Sequence, residues 1–428
     1  MKKIRSLLLN DKNIERSAFL WNAFSAMMNS FQTMVLLIVI TRTGDTDDAS
    51  VFVMAYAVGN LMLNIGKYGV RQFQVTDVRE KYSYKEYLYA RYCSMICMGI
   101  MSVSYVLYNI VMNGYTREKS TVVLLICAVK GIEAFEDVFH GRMQQKGRLD
   151  VAGKILGCRL CVFILTYGIL YLVTKNLLVT TVLSMLLTLV NAVVLNGSVL
   201  GRFSDSGGAK RKQVLGILVE CFPLCASACL SMYVANAPKY IIDSVVSNQV
   251  QTCFNIVFMP VFVIALLGNF VFQPYLNQFG ILWNANERIK LKRLIKKLVF
   301  CAIGISIAIV IVGSVLGIPV LQLVYGVDLT KYKTYLIIFM IDGSIIALQN
   351  LFIMIVTTVR YQKYMIYGYV VLALMLVSMG KTILLRLGLM GLCCFYTLIL
   401  LLLVAYLMVL MTLGMRKEND KNRIEFVC

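Results

Sequence analysis

About twelve apolar segments, each long enough to cross a bilayer, follow one another along this chain. A membrane-spanning helix needs roughly 20 consecutive apolar residues. The segments lie at residues 17–41, 48–66, 92–112, 120–140, 155–174, 177–200, 214–236, 249–272, 299–325, 334–358, 364–385 and 388–414. Only 15% of the residues are charged, whereas soluble proteins carry about 25%. The sequence therefore predicts an all-α polytopic membrane protein with about twelve transmembrane helices.

The basic residues fall in every second gap between these segments. Of the 42 Lys and Arg residues, 32 lie in the N-terminal segment, five alternate loops and the C-terminal tail. Those loops are 67–91, 141–159, 202–213, 273–299 and 359–363. Cytoplasmic loops carry an excess of Lys and Arg. The alternation therefore predicts cytoplasmic N- and C-termini and a multi-pass protein of the plasma or inner membrane.

The net charge of +20 also limits the partners. A basic soluble protein would suggest nucleic acid, but these charges lie in loops beside apolar spans. Contact with anionic lipid headgroups explains them. We expect membrane lipids as partners and no nucleic acid.

The loop 202–213, rich in Ser, Gly and basic residues, divides the chain into two sets of six spans. Six is even, so both halves enter the membrane in the same orientation, as in a parallel structural repeat. The predicted parts are an N-terminal six-helix lobe (1–201), a cytoplasmic linker (202–213), a C-terminal six-helix lobe (214–414) and a cytoplasmic tail (415–428). Within the second lobe, the basic segment 273–299 predicts an amphipathic helix on the cytoplasmic face, with Trp283 at the interface.

The fourth span carries an unusual set of ionisable residues, which are costly in a membrane and mark functional sites. They are Lys130, Glu133, Glu136, Asp137 and His140. At 100° per residue, Lys130, Glu133 and Asp137 share one stripe of the helix. The stripe predicts a polar cavity or helix contact, in which Glu133 and Asp137 could relay a proton or sodium ion. Glu136, Asp137 and His140 equally suit the cytoplasmic end of the span, where loop arginines would pair with them.

The tenth span is the counterpart of the fourth under the proposed repeat. It carries Asp342, Gln349 and Asn350. We add Asp342 and Asp243 to Glu133 and Asp137 as candidates for ion coupling or for lining a cavity.

Thirteen cysteines are present, and Cys221, Cys225 and Cys229 recur at helical spacing in the seventh span. A metal-binding stripe is conceivable, but His140 is the only histidine. Small apolar packing residues are the better interpretation, so we predict no metal site.

Gly153 and Gly157 form a GxxxG pattern that predicts close helix packing. Because no histidine pair, phosphate-binding glycine loop or nucleophile elbow is present, we expect a carrier and no enzyme.

Several stretches resemble the oligosaccharide-lipid flippases of the multidrug/oligosaccharidyl-lipid/polysaccharide exporter (MOP) superfamily. The motif NAPKYIID supplies the proline, basic residue and aromatic residue of the family pattern as Pro238, Lys239 and Tyr240. The run FNIVFMPVFVIALLGNFVFQPYLNQF resembles the family's eighth span and the segment that follows it. YGVRQFQVTDV and GRMQQKGRLDVAGK resemble its first-half cytoplasmic loops. The likeness covers most of the chain.

The resemblance implies a two-lobed, MATE-like transporter that works by alternating access. It would flip undecaprenyl-diphosphate-linked oligosaccharide repeat units from the inner to the outer leaflet, for assembly of capsule, exopolysaccharide or O-antigen. A diphosphate needs fixed cations in a low-dielectric cavity, for which we predict Arg71, Lys130 and Lys239. Candidates for hydrogen bonds to sugars are Tyr233, Asn236 and Asn64. A proton gradient, a sodium gradient or the membrane potential would drive transport without a cofactor, and glycan polymerase machinery is an expected partner.

Two alternatives stay open. A cation-coupled multidrug or metabolite antiporter of the same superfamily would have an acidic cavity, which Glu133, Glu136 and Asp137 could supply. Lys130 and Lys239 argue against it. A membrane glycan polymerase would need a large external loop, whereas the predicted outward loops are short.

Overall fold

The computed structural model describes residues 2–9, 13–43, 46–77, 80–203, 208–243, 245–272, 275–359 and 361–425. These residues form two compact units, Met1–Met232 and Tyr233–Cys428. The first contains α1 (Lys2–Leu9), α2 (Ile14–Arg42), α3 (Thr46–Lys67), α4 (Val70–Thr76), α5 (Tyr84–Asn113), α6 (Arg117–Gln145), α7 (Leu149–Thr174) and α8 (Leu177–Val199). Helix α9 (Arg211–Ile242) contributes to both units. The second continues with α10 (Asn248–Phe272), α11 (Leu276–Asn284), α12 (Arg288–Tyr325), α13 (Lys333–Thr358) and α14 (Met365–Glu425).

The helices match the predicted spans in number. In the described part of the chain, ten helices are long and apolar enough to cross a membrane. One of these, Gln362–Met415, is 54 residues long and contains the non-helical Gly388, so it supplies two passes. Helix α6 has 29 residues and the length of a span, but its charges lower its hydropathy. This gives the twelve passes predicted and confirms the all-helical, multi-pass fold, while the side on which the termini lie stays a prediction.

Helix α6 is the centre of the first unit, where it contacts α3, α4, α5, α7 and α8. Beside it, α2 packs closely on α7. A Cβ atom added at Gly153 would lie 3.0 Å from Cβ of Trp21. At the same place, Ser25 Oγ donates a hydrogen bond of 2.8 Å to the carbonyl oxygen of Gly153. The GxxxG pattern is confirmed as a site of helix packing.

Helix α13 holds the equivalent central place in the second unit, where it contacts α10, α11, α12 and α14. Its Phe339 packs edge-to-face on Phe254 and Phe258, with ring centroids 5.0 and 4.8 Å apart. At Gly343, an added Cβ would lie 3.0 Å from Cα of Val261. The fourth and tenth predicted spans, α6 and α13, thus hold equivalent central places in their units.

The division between the units falls inside α9, after Met232, and not in the loop 202–213. A lobe boundary in that loop stays a prediction, and residues 204–207 lie outside the described part of the chain. The residues that follow, Gly208 and Lys210, form hydrogen bonds with the start of α5 in the first unit. Ser83 Oγ donates to the carbonyl of Gly208 at 3.0 Å, and the amide of Lys210 donates to Glu86 Oε1 at 3.0 Å.

The basic segment 273–299 is not a single amphipathic helix, which corrects the prediction. Helix α11 ends at Asn284, and Asn286 adopts a left-handed conformation with φ 58°, which Asn tolerates better than most residues. Helix α12 then begins at Arg288 and carries the basic residues straight into an apolar span. Trp283 is buried instead of lying at an interface, and the Arg288 guanidinium lies 3.3 Å from its ring centroid. The predicted tail 415–428 begins inside α14.

Candidate functional site

Glu133 of α6 lies close to three cations. It accepts a hydrogen bond of 2.9 Å from Lys67 Nζ at the end of α3. Lys130 Nζ lies 3.5 Å from its Oε2 atom, one helical turn away. Arg159 Nη2 of α7 lies 3.6 Å from the same oxygen. Glu133 is therefore neutralised by cations from three helices.

Glu136 and Asp137 are paired in the same way. Arg159 Nε lies 2.6 Å from Glu136 Oε2, and Asn196 of α8 donates to Glu136 Oε1 at 2.6 Å. Arg91 of α5, whose side chain is 0% exposed, places Nη2 3.1 Å from Asp137 Oδ2 and also donates to the carbonyl of Gly66. Arg71 Nη1 lies 3.3 Å from the other Asp137 oxygen. Arginines from the predicted loops 67–91 and 141–159 therefore pair with these carboxylates, although the structure places them in helices.

We call these eight ionic side chains the α6 network. Its members are Lys67, Arg71, Arg91, Lys130, Glu133, Glu136, Asp137 and Arg159. Five are cations and three are carboxylates, so the network carries an excess of positive charge. Beside it, His140 is buried, and its Nε2 atom has no hydrogen-bond partner among the described residues. An excess cation in a buried, low-dielectric place attracts an anion strongly.

The network borders a cavity of about 530 Å³ within the first unit. We call it the polar cavity because six of its ten lining residues are polar or charged, although apolar groups contribute more of its exposed lining. The lining residues are Asn64, Lys67, Gly69, Arg71, Gln72, Val75, Asp137, Gln144, Leu224 and Ala228. Lys67 and Arg71 keep 34% and 24% of their side chains exposed, unlike the other cations of the network. Gln144 Oε1 accepts hydrogen bonds of 3.1 and 2.9 Å from Arg71 Nε and Nη2 and so fixes the guanidinium plane. The cavity therefore presents two accessible cations beside amide groups.

The structure groups some of the sequence candidates and adds others. Asn64, Arg71 and Asp137 line one cavity, and Lys130 and Glu133 join it through Lys67. The sequence analysis missed four residues that complete the group. They are Lys67, Arg91, Gln144 and Arg159. Three of these are basic residues at the ends of predicted spans, and the sequence analysis assigned such residues to the charge bias of cytoplasmic loops.

At the end of α6, Glu80 joins the loop after α4 to this helix. Lys146 Nζ lies 2.5 Å from Glu80 Oε1, and Arg142 Nη1 lies 3.4 Å from Oε2. The hydrogen bond from Lys146 and the nearby Arg142 charge lower the pKa of Glu80. A lowered folded-state pKa means that this link is present above the ordinary carboxyl pKa and is lost as the pH falls through the lowered value.

In the second unit, Lys239 is buried and has no counter-ion among the described residues. It is 5% exposed, one residue after Pro238, and α9 continues past both to Ile242. Its Nζ atom lies 4.7 and 5.5 Å from the ring centroids of Phe262 and Phe258. Among the described residues, no carboxylate lies within ion-pair distance of it. Aromatic faces attract a cation, but they replace only part of its lost hydration.

The second unit also contains a buried carboxylate without an ion-pair partner among the described residues, Asp342 of α13. It is 0% exposed, and neither carboxylate oxygen has a hydrogen-bond partner among the described residues. The neighbouring Thr397 directs its hydroxyl to the carbonyl of Cys393, at 3.1 Å. A buried, unpaired carboxylate is costly, and Asp342 stays a predicted ion-coupling residue.

The remaining candidates lie along the end of α9. Tyr233 and Tyr240 stack with ring centroids 5.6 Å apart and planes at 8°. Asn236 is buried on the same helix. Asp243, just past the helix end, accepts a hydrogen bond of 2.8 Å from Gln251. Tyr233, Asn236 and Lys239 therefore share one short stretch of helix, while the role of each stays a prediction.

Known structures resemble this architecture over nearly its whole length. An inward-facing multidrug resistance MATE family transporter of the MOP superfamily matches with a TM-score of 0.63 and 12% identity, covering 95% of this chain and 99% of the other. The chain has the MATE fold. A mutant of the Vibrio cholerae MATE transporter VcmN matches with a TM-score of 0.60 and 12% identity, covering 97% and 99% of the two chains.

A third neighbour with the MATE fold is a MOP superfamily transporter from Pyrococcus furiosus, whose reported feature is a reverse polarity of the binding pocket. Its TM-score is 0.55 at 13% identity, covering 97% of this chain and 98% of the other. At such identities the likeness concerns the fold. No family model and no curated protein matches the sequence.

Proposed function

We propose that this protein is a transporter that flips lipid-linked oligosaccharides, with an undecaprenyl diphosphate carrier, from the inner to the outer leaflet. The observation that carries the proposal is the positive excess of the α6 network beside a polar cavity. A diphosphate is a compact anion, and charge-assisted hydrogen bonds from Lys and Arg are the strong way to hold it. Alternating access would then carry the polar glycan through the cavity while the lipid tail stays in the bilayer.

Lys67 and Arg71 are the cations that would meet the diphosphate first, because both line the cavity and are partly exposed. Each is held by a carboxylate, Glu133 or Asp137, that has other cations of its own. A phosphate oxygen can therefore bind Lys67 or Arg71 while the buried carboxylate keeps another cation as its ion-pair partner. Asn64, Gln72 and Gln144 also line the cavity, and we propose that their amides bind sugar or phosphate oxygens.

The neighbouring structures favour a second candidate, the multidrug antiporter, because two of them are multidrug resistance MATE family transporters. Against it stands the pairing of Glu133, Glu136 and Asp137, each of which already faces at least one Arg or Lys. An organic cation would meet two exposed cations at the cavity. For the Pyrococcus furiosus protein, which has the same fold, a reverse polarity of the binding pocket is reported to suggest a different function.

The deciding experiment follows lipid-linked glycan in cells that lack this protein. We expect complete repeat units to accumulate on the inner leaflet and surface polysaccharide to be lost, both restored by the gene. Normal surface polysaccharide together with new sensitivity to cationic drugs would contradict the flippase and support the antiporter.

Asp342 supplies a test of ion coupling. Its buried carboxylate is isolated from cations among the described residues, so a proton or sodium ion is the partner that it can bind and release. Asp342→Asn should keep stability near the wild-type value but remove the dependence of transport on pH or sodium. The measurement is the transport rate in proteoliposomes over a range of pH and sodium concentrations. Asp328→Asn, in an exposed loop, is the control, and an unchanged ion dependence in Asp342→Asn would assign that residue to packing.

A further inference from the structure

The cysteine stripe of α9 contains two thiols in contact. Cys225 Sγ and Cys229 Sγ are 4.0 Å apart, one helical turn from each other. Cys225 Sγ also lies 3.8 Å from the carbonyl oxygen of Asn64, which lines the polar cavity. Each thiol directly follows a residue of the cavity wall, Leu224 or Ala228. Neither thiol is itself a lining residue, and the pair lies one residue along α9 from the cavity wall.

The spacing of the two thiols excludes a disulfide and suits a bridging atom. Residues four apart on a helix have Cβ atoms about 5–6 Å apart, whereas a disulfide needs about 3.8 Å. Metal–thiolate bonds are about 2.3 Å long, so one bridging atom can join sulfurs up to about 4.6 Å apart. The observed 4.0 Å lies within this reach without movement of the helix.

We propose that Cys225 and Cys229 form a dithiol site for a thiophilic metalloid, of the chemical class of trivalent arsenicals. Thiolate sulfur is the soft ligand that such species select. No group of three or more metal-ligating side chains occurs among the described residues, and trivalent arsenic with one organic substituent needs only two sulfurs. With phenylarsine oxide, the arsenic–oxygen double bond breaks and two arsenic–sulfur bonds form. Both thiol protons leave with the oxygen as water, and no oxidant or reductant is consumed.

The test treats the purified full-length protein with phenylarsine oxide, washes it with excess monothiol and maps the remaining adducts by peptide mass spectrometry. We expect a monothiol-resistant adduct that joins Cys225 and Cys229. It should be lost completely in Cys225→Ser and in Cys229→Ser, and retained in Cys301→Ser, which removes an exposed cysteine of α12. Removal of the adduct by a dithiol would complete the signature.

Two results would overturn the site. One is a wild-type protein without an adduct on these cysteines, and the other is an adduct that survives in either serine variant. Cys229 is only half-buried, so its serine variant decides the question even if Cys225→Ser fails to fold. Slower transport after arsenical treatment is a separate readout that rests on the proposed function, and its failure would leave the mapped adduct standing.

Discussion

Lys239→Met should lower transport of a lipid-linked oligosaccharide at least about 30-fold while leaving the protein as stable as the wild type, or more stable. The charge has no carboxylate partner among the described residues and lies against Phe258 and Phe262. Removing one partner of a buried charge contact costs about 2–5 kcal/mol, and about 1.4 kcal/mol corresponds to tenfold in affinity. Met keeps the length and apolar stem but removes the desolvation cost of the ammonium group.

The measurement pairs transport in proteoliposomes with thermal unfolding of the same preparation. Lys333→Met, at the exposed start of α13, is the matched control and should change neither quantity. Wild-type transport in Lys239→Met would remove this residue from the substrate path. A fall in stability would show that Lys239 is a structural residue.

Arg159→Ala should destabilise the protein by about 3–5 kcal/mol, because it leaves buried carboxylates without their cation. Glu136 would keep only its hydrogen bond from Asn196, and Glu133 would keep Lys67 and Lys130. Arg202→Ala, an exposed arginine, is the control and should have a small effect. Denaturant unfolding in detergent micelles measures the difference between the two variants.

A double-mutant cycle separates pairing from lost packing. Adding Glu136→Gln to Arg159→Ala should recover part of the loss, since no uncompensated charge then faces the cavity left by the arginine. If the two changes are additive, Arg159 acts through packing alone and the ionic account of the α6 network is wrong.

The sequence predicted the helices well because span length and loop charge are local properties. The fourth span was also found by its charges, since the stripe of Lys130, Glu133 and Asp137 depends only on helical periodicity. The partners of that stripe could not be predicted in this way. Arg91 and Arg159 meet it only because α5 and α7 present particular faces to α6, which depends on tertiary packing.

The errors have equally physical causes. The run of basic residues in 273–299 resembles a surface helix in its pattern, but Asn286 in a left-handed conformation breaks it and starts α12 two residues later. Lys67 was missed because a lysine at the end of a span is usually topogenic. Its side chain instead turns to Glu133 and lines the cavity.

The charges of α6 also affect how the protein is made. A charged residue at the centre of a lone inserting helix costs about 2.5–3.5 kcal/mol, so α6 is poorly suited to leave the translocon by itself. Its partners on α3 and α5 are synthesised before it, but Arg159 on α7 is synthesised after it. We therefore expect that α6 partitions stably into lipid only together with α7, which supplies Arg159. The same ion pairs that prepare the cavity for an anion would then set the order in which this chain is assembled.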